Sequence, residues 1–265
     1  MKLMTVIVQA PACPKSRSYC VEDFVRPTAC REPQLRAGVV NQLPGQGDGG
    51  DAMTATIDVL KAPDSKLAHE IAELVRDTET PLLFHHSSRV YHWGALTGRR
   101  RGLRFDHELL YAGAMFHDMG LTRGYASSHN RFEVDSANAA RDFLRSHGIA
   151  ESDIATVWTA IALHTTPGIP PHMHAVIALV TAGVEMDVMG IAYHEFTDDE
   201  RRAVVHAHPR PGHFKEEIIR AFYDGMRHRP ATTFGTVNAD VLADRDPSFQ
   251  PENFCRVIRA SAWSG

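Results

Sequence analysis

The segment FDHELLYAGAMFHDMG, residues 105–120, decides how the chain is read. Leu109, Leu110, Ala114 and Met115 recur at helical spacing, which predicts a helix over 105–118 with one apolar face, ending near Gly120. At the C-terminal end of that face stand an imidazole and a carboxylate, His117 and Asp118. Neighbours on a helix diverge by about 100°, so both reach one ion only if it lies off the helix end or beside it. A carboxylate buried there needs a counter-charge, and a divalent cation is a natural one. A His-Asp dipeptide alone is weak evidence, since a satisfied structural pair has the same sequence. Its weight comes from its flanks.

Upstream, Ser65 can cap a helix through Leu67, Ile71, Leu74 and Val75. Thr80-Pro81 opens another, with proline suited to the first turn, and it carries Phe84-His-His-Ser-Ser-Arg-Val-Tyr-His-Trp-Gly94. Downstream, Val134, Ala137, Ala140, Phe143 and Leu144 stripe a helix over 132–147 that Gly148 terminates. A helix from after Ser152 to about 164 breaks at Thr166-Pro-Gly-Ile-Pro-Pro171. The stretch 174 to about 187 is apolar almost all round, so it is expected to be buried, yet it carries Glu185-Met-Asp187. Helices over about 198–207 and 213–227 follow, and 228–265 reads as less regular. With no alternating strands and no repeat, the class is all-α.

Composition sets the bounds. The chain has 265 residues, 43% hydrophobic, with a formal net charge of −4 and 16 histidines. The charge gives no case for a nucleic-acid partner. Residues 1–52, rich in scattered Pro, Gly and Arg and holding three of the four cysteines, read as a disordered extension, with Met53 read as the natural start and 53–265 as the folded helical domain. No CxxC pair occurs, no secretory signal opens the chain, and charges or prolines interrupt every apolar run, so a soluble cytoplasmic protein with no membrane partner is expected. There is no Gly-x-Ser-x-Gly elbow, and Gly98, Gly102 and Gly113 make no phosphate-binding loop. Arg99 to Arg104 reads as a solvated basic turn.

One histidine of the 84–94 segment, the His117–Asp118 pair and the late Asp187 come from three helices, a donor set that suits Zn²⁺, Fe²⁺ or Mn²⁺. His85 and His86 cannot both face the ion from consecutive positions. The order of these motifs resembles the HD superfamily of metal-dependent hydrolases. His86-Ser-Ser-Arg89-Val-Tyr, Phe116-His-Asp-Met-Gly-Leu121, Arg131-Phe-Glu-Val-Asp135, Ala162-Leu-His-Thr-Thr166 and Val184-Glu-Met-Asp-Val-Met-Gly190 look more closely like its cyanamide-hydratase-like branch. The resemblance spans about Thr80 to Gly190. It implies an HD-domain orthogonal helical bundle around a metal site, with His86, directly before Ser, as the histidine ligand beside His117, Asp118 and Asp187. The cofactor is then Zn²⁺ or Fe²⁺, with a mononuclear site favoured. The implied activity is addition of metal-bound hydroxide to a small molecule such as a nitrile or cyanamide, in that branch yielding urea. Asp118 or Asp187 could take the proton and His164 could give one to the developing nitrogen.

Candidate substrate contacts are Arg89, His129, Glu133 and His164. Arg89 lies one turn after His86 and could orient Asp118 or a substrate group, unless it forms a surface ion pair. His129 and His164 sit where dinuclear relatives insert two further ligands. Glu133 also reads as a dipole partner of its helix N-terminus. Tyr91 and Trp93 read as core aromatics, and Met115, Met119, Met186 and Met189 as core fillers. Competing readings are a phosphohydrolase acting on a nucleotide or phosphomonoester, which needs cations such as Arg89, Arg131 or Lys215; a two-iron oxygenase; and a non-catalytic module with a closed structural metal. The expected partner is a small-molecule substrate, with a homo-oligomer left open.

Overall fold

Ser65, Thr80 and Asp106 each accept a hydrogen bond from a backbone N–H three residues on, and a helix begins after each. The computed structural model describes residues 61–260; the expectations for residues 1–52 and for Met53 fall outside that range. Among the described residues there are ten α-helices joined by turns and short 3₁₀ segments, and no strand, an all-α fold. They are α1 (Lys66–Thr78), α2 (Pro81–Arg100), α3 (His107–Phe116), α4 (Phe132–Ser146), α5 (Glu151–Leu163), α6 (Ala175–Met189), α7 (Asp198–Ala207), α8 (Phe214–Met226), α9 (Asn238–Arg245) and α10 (Phe254–Arg259). None is long and apolar enough to cross a membrane.

Most boundaries fall within two residues of those expected. Asp106 rather than Phe105 sets the start of α3, and the chain enters α5 at Glu151, with Ala150 and not Ser152 at the cap. Gly148 and Gly190 adopt positive φ and end α4 and α6. The segment after 228 is more regular than expected, since it contains α9 and α10. Each has eight residues or fewer, too few turns for a hydrophobic period to show. Met115, Met119 and Met186 are core residues, but Met189 at the end of α6 is 60% exposed.

The main core gathers residues of α1 to α6, among them Val90, Leu110, Met115, Phe116, Ala140, Val157 and Val180. A second cluster, Leu83, Leu121, Phe132, Phe214, Ile218, Met226 and Leu242, packs α8 and α9 against the start of α2 and the turn after α3. A third, Trp93, Leu96, Met186, Phe196 and Val204, seats α7. The broadest helix–helix contact joins α2 to α6. It is close because of glycine: a Cβ on Gly183 would lie 2.2 Å from the Val90 carbonyl oxygen, and one on Gly94 would lie 2.7 Å from that of Leu179. This crossing sets α2's His86, Arg89 and Trp93 against α6's Asp187. Gly183→Ala must therefore spread two backbones rather than shift a side chain. We expect a loss of about 1–3 kcal/mol or more in urea unfolding, the cost of overpacking a close-packed interior; an unchanged midpoint and slope would refute this account of the crossing.

Candidate metal centre

His117 is the C-cap of α3, and the 3₁₀ turn Met119–Leu121 follows Asp118. This corner is fastened from outside. The Gly120 N–H donates to Ser136 Oγ at 2.8 Å, and the buried Arg229 guanidinium donates to the carbonyls of Gly120, Gly225, Ser127 and Asn130 and pairs with Asp135. The end of α8 is thus tied to the loop that carries the His-Asp pair.

Three side chains meet at the corner: His86, His117 and Asp118, each 0% exposed, with donor atoms close enough together to hold one ion. The hydrogen bonds fix which ring nitrogens face it. His117 Nδ1 is 2.6 Å from the Ala114 carbonyl, and His86 Nδ1 is 2.7 Å from Asp187 Oδ2. Both partners only accept, so both Nδ1 atoms carry the proton and both Nε2 atoms present lone pairs. Those two Nε2 atoms are 3.2 Å apart. Asp118 Oδ2 lies 3.4 Å from the Nε2 of His117 and 3.7 Å from that of His86. Two lone pairs and a carboxylate facing one another repel unless a cation joins them. Tetrahedral bonds of about 2.0–2.1 Å put ligand atoms roughly 3.3 Å apart, close to the spacings seen. A shared proton is the alternative cation, but burial, then the neighbouring His164 and His86, hold the His117 imidazole well below its usual pKa. Burial favours the protonated form of the Asp118 carboxyl, yet neither of its oxygens has a hydrogen-bond partner, so no shared proton joins it to the imidazoles. The residues fit a divalent metal.

His164 repeats the pattern of His117. It caps α5, its Nδ1 is 2.6 Å from the Ile161 carbonyl, and its Nε2 therefore turns inward, 3.8 Å from Asp118 Oδ1. Its ring lies 4.9 Å from that of His117.

Asp187 stands elsewhere than the expected ligand position. Its oxygens are taken up by His86 Nδ1, by Arg89 through Nε at 2.8 Å and Nη2 at 2.9 Å, and by the Trp93 indole N–H at 3.0 Å. Burial opposes its ionisation, but the bonds from His86 and Arg89 prevail and hold it well below the usual carboxylate range. It sits behind His86, on the side of the ring away from Asp118, and orients that ring. Arg89 is likewise neither a surface ion pair nor the partner of Asp118. It is fully buried, pairs with Asp187, and uses Nη1 on the carbonyls of His208 and Pro209. His129 is exposed in the loop before α4, outside the cluster. Glu133 is buried and its oxygens receive Arg131, Thr165 and Asn238, so it braces α4 and the turn after α5 rather than presenting a free face to substrate. His85 faces His208 at the end of α7, with ring centroids 5.9 Å apart.

Two contributors were missed. Trp93, read as a plain core aromatic, is a donor to Asp187. Glu79, at the end of α1, is buried with Oε1 unpartnered; burial first, and the charge of Asp118 second, push its carboxyl well above the usual range. A glutamate just before a Thr-Pro helix start has the sequence of an ordinary exposed linker, and nothing in it signals burial.

The centre is roofed by apolar groups. Phe214 packs 6.0 Å from the His86 ring and Phe132 packs 5.5 Å from that of His164, centroid to centroid. Four cavities of about 370 to 830 Å³ open elsewhere on the protein, and none is lined by His86, His117 or Asp118.

Against known families, residues 83–205 match the HD domain. That span holds His86, His117, Asp118, His164 and Asp187, and it stops before α8. No curated protein matches the chain.

Proposed function

We propose that the protein is an HD-type metal-dependent hydrolase or hydratase that adds water to a small uncharged molecule, with a nitrile or cyanamide as the best-fitting substrate class. The observation that carries this reading is the meeting of the His86 and His117 Nε2 lone pairs with the unpartnered Asp118 carboxylate. His86, His117 and Asp118 would hold one Zn²⁺ or Fe²⁺. When bound, such an ion supplies Lewis acidity and lowers the pKa of a water toward about 7.

The chain's own residues divide the remaining work. Asp187, gripped by Arg89 and Trp93, holds the His86 ring in one tautomer and orientation. An Asp118 oxygen can accept a proton from the attacking water, and His164 Nε2, whose lone pair faces Asp118 Oδ1, can take up that proton and pass it to the nitrogen that gains charge. Phe132, Phe214 and their neighbours keep bulk water out, which strengthens each of these electrostatic effects. The roof favours a substrate of few atoms. A phosphate dianion finds little cationic support here, because Arg89 is committed to Asp187 and Arg131 to Glu133. We place the activity in the cytoplasm, where the exposed Cys255 would remain a free thiol.

Protein purified without added metal should contain about one transition-metal ion per chain by elemental analysis. It should convert cyanamide or a small nitrile and leave a chromogenic phosphate ester and a nucleotide panel untouched. Turnover of the phosphate compounds alone would overturn the proposed substrate, and a metal-free protein with full activity would overturn the proposed centre.

A further inference from the structure

The cavity at the junction of α6, α7 and α8 differs from the others in its chemistry. It encloses about 370 Å³, within the range of small-molecule sites. One wall is apolar, made by Trp93, Met186, Val188, Met189 and Val205, and Arg201, Arg210 and Lys215 also line it. Arg201 is engaged by Asp198 and by the carbonyls of Tyr193 and Phe196. Arg210 and Lys215 are in a different position. Arg210 is half-buried, lies 4.1 Å over the Phe214 ring, and donates to the main-chain oxygen of Asp187 at 3.2 Å. Neither it nor Lys215 has a carboxylate partner among the described residues. The one carboxylate in the wall, Asp187, is already matched by Arg89 and His86.

We infer that this cavity binds a small organic anion, a carboxylate or phosphate group on an apolar body, with the charge held by Arg210 and Lys215 and the body against Trp93 and Met186. Two cations not bonded to a carboxylate beside an apolar wall are complementary to that class, and an arginine already partly stripped of water gives up less hydration on binding than an exposed one. The site is separate from the metal centre, since Asp187 stands between the cavity and the His86 ring. It is also mechanically connected to it: Arg210 and Lys215 flank Phe214 in sequence, and Phe214 packs against His86. The inference does not depend on the proposed reaction.

The test is calorimetric titration of the metal-loaded protein with benzoate, phenylphosphonate and, as the uncharged control, benzamide. One of the two anions should bind saturably at one per chain and benzamide should not. Lys215→Glu, a change at an exposed position, should weaken that anion at least roughly tenfold by setting a like charge beside it, and Arg210→Gln should act in the same direction. His117→Ala should leave the binding intact. Absence of saturable binding by both anions, or equal affinity in wild type and Lys215→Glu, would refute the site. Loss of binding in His117→Ala would move the anion to the metal centre and equally refute it.

Discussion

Asp118→Asn protein should carry no tightly bound metal and should turn over substrate on the order of a thousandfold more slowly or worse, because it loses the only anionic donor of the three-residue cluster and with it the activated water. The same variant should fold at least as well as metal-free wild type. Without a metal, wild type retains a fully buried carboxylate with both oxygens unpartnered, a costly arrangement that asparagine relieves. Added Zn²⁺ should raise the unfolding free energy of wild type by about 4 kcal/mol when free metal is a thousand times Kd, and should barely move Asp118→Asn. Calorimetric melts with and without metal give both numbers. Full metal content and activity in the variant would show that the ion lies elsewhere.

Arg89→Met should cost about 3–5 kcal/mol, because it leaves the Asp187 carboxylate buried and without its main counter-charge. Arg89→Lys should rescue little. The native guanidinium makes two bonds to Asp187 through Nε and Nη2 while Nη1 holds the carbonyls of His208 and Pro209, and one ammonium cannot span those positions. The double variant Arg89→Met, Asp187→Asn should recover part of the loss, since it removes the stranded charge along with its partner. Chemical denaturation of wild type, Arg89→Met, Asp187→Asn and the double variant closes the cycle. If the single variant is as stable as wild type, the pair contributes nothing, and Asp187 must be supported in some other way.

The helices were legible because their signals are local. Ser65 and Thr80 as caps, Pro81 at a first turn, and Gly148 as a terminator each act within one turn of the residue that shows them. The His117–Asp118 corner could also be anticipated, since it needs only a chemical type at a helix end, whereas His86 rather than His85 was singled out only by the resemblance to the HD motif. The position of Asp187 could not. Its sequence context, a carboxylate on a buried helix, is the same for a metal ligand as for a residue bound behind one. What separates them is the Gly94 and Gly183 crossing, which delivers Arg89 and Trp93 to its oxygens, and that is a property of two helices far apart in the chain. Glu133 was ambiguous for the same reason, as the groups that occupy it, Thr165 and Asn238, arrive from 32 and 105 residues away.

The aromatic roof has a consequence for time as well as for size. An ion held at this corner, with Phe214 and Phe132 packed on His86 and His164, would leave only when the segment carrying Phe214 lifted, so its release would be timed by an opening of the protein and not by the strength of its bonds alone. The species found in the purified protein would then record which element was abundant while the chain was folding, preserved long after the surrounding solution has changed.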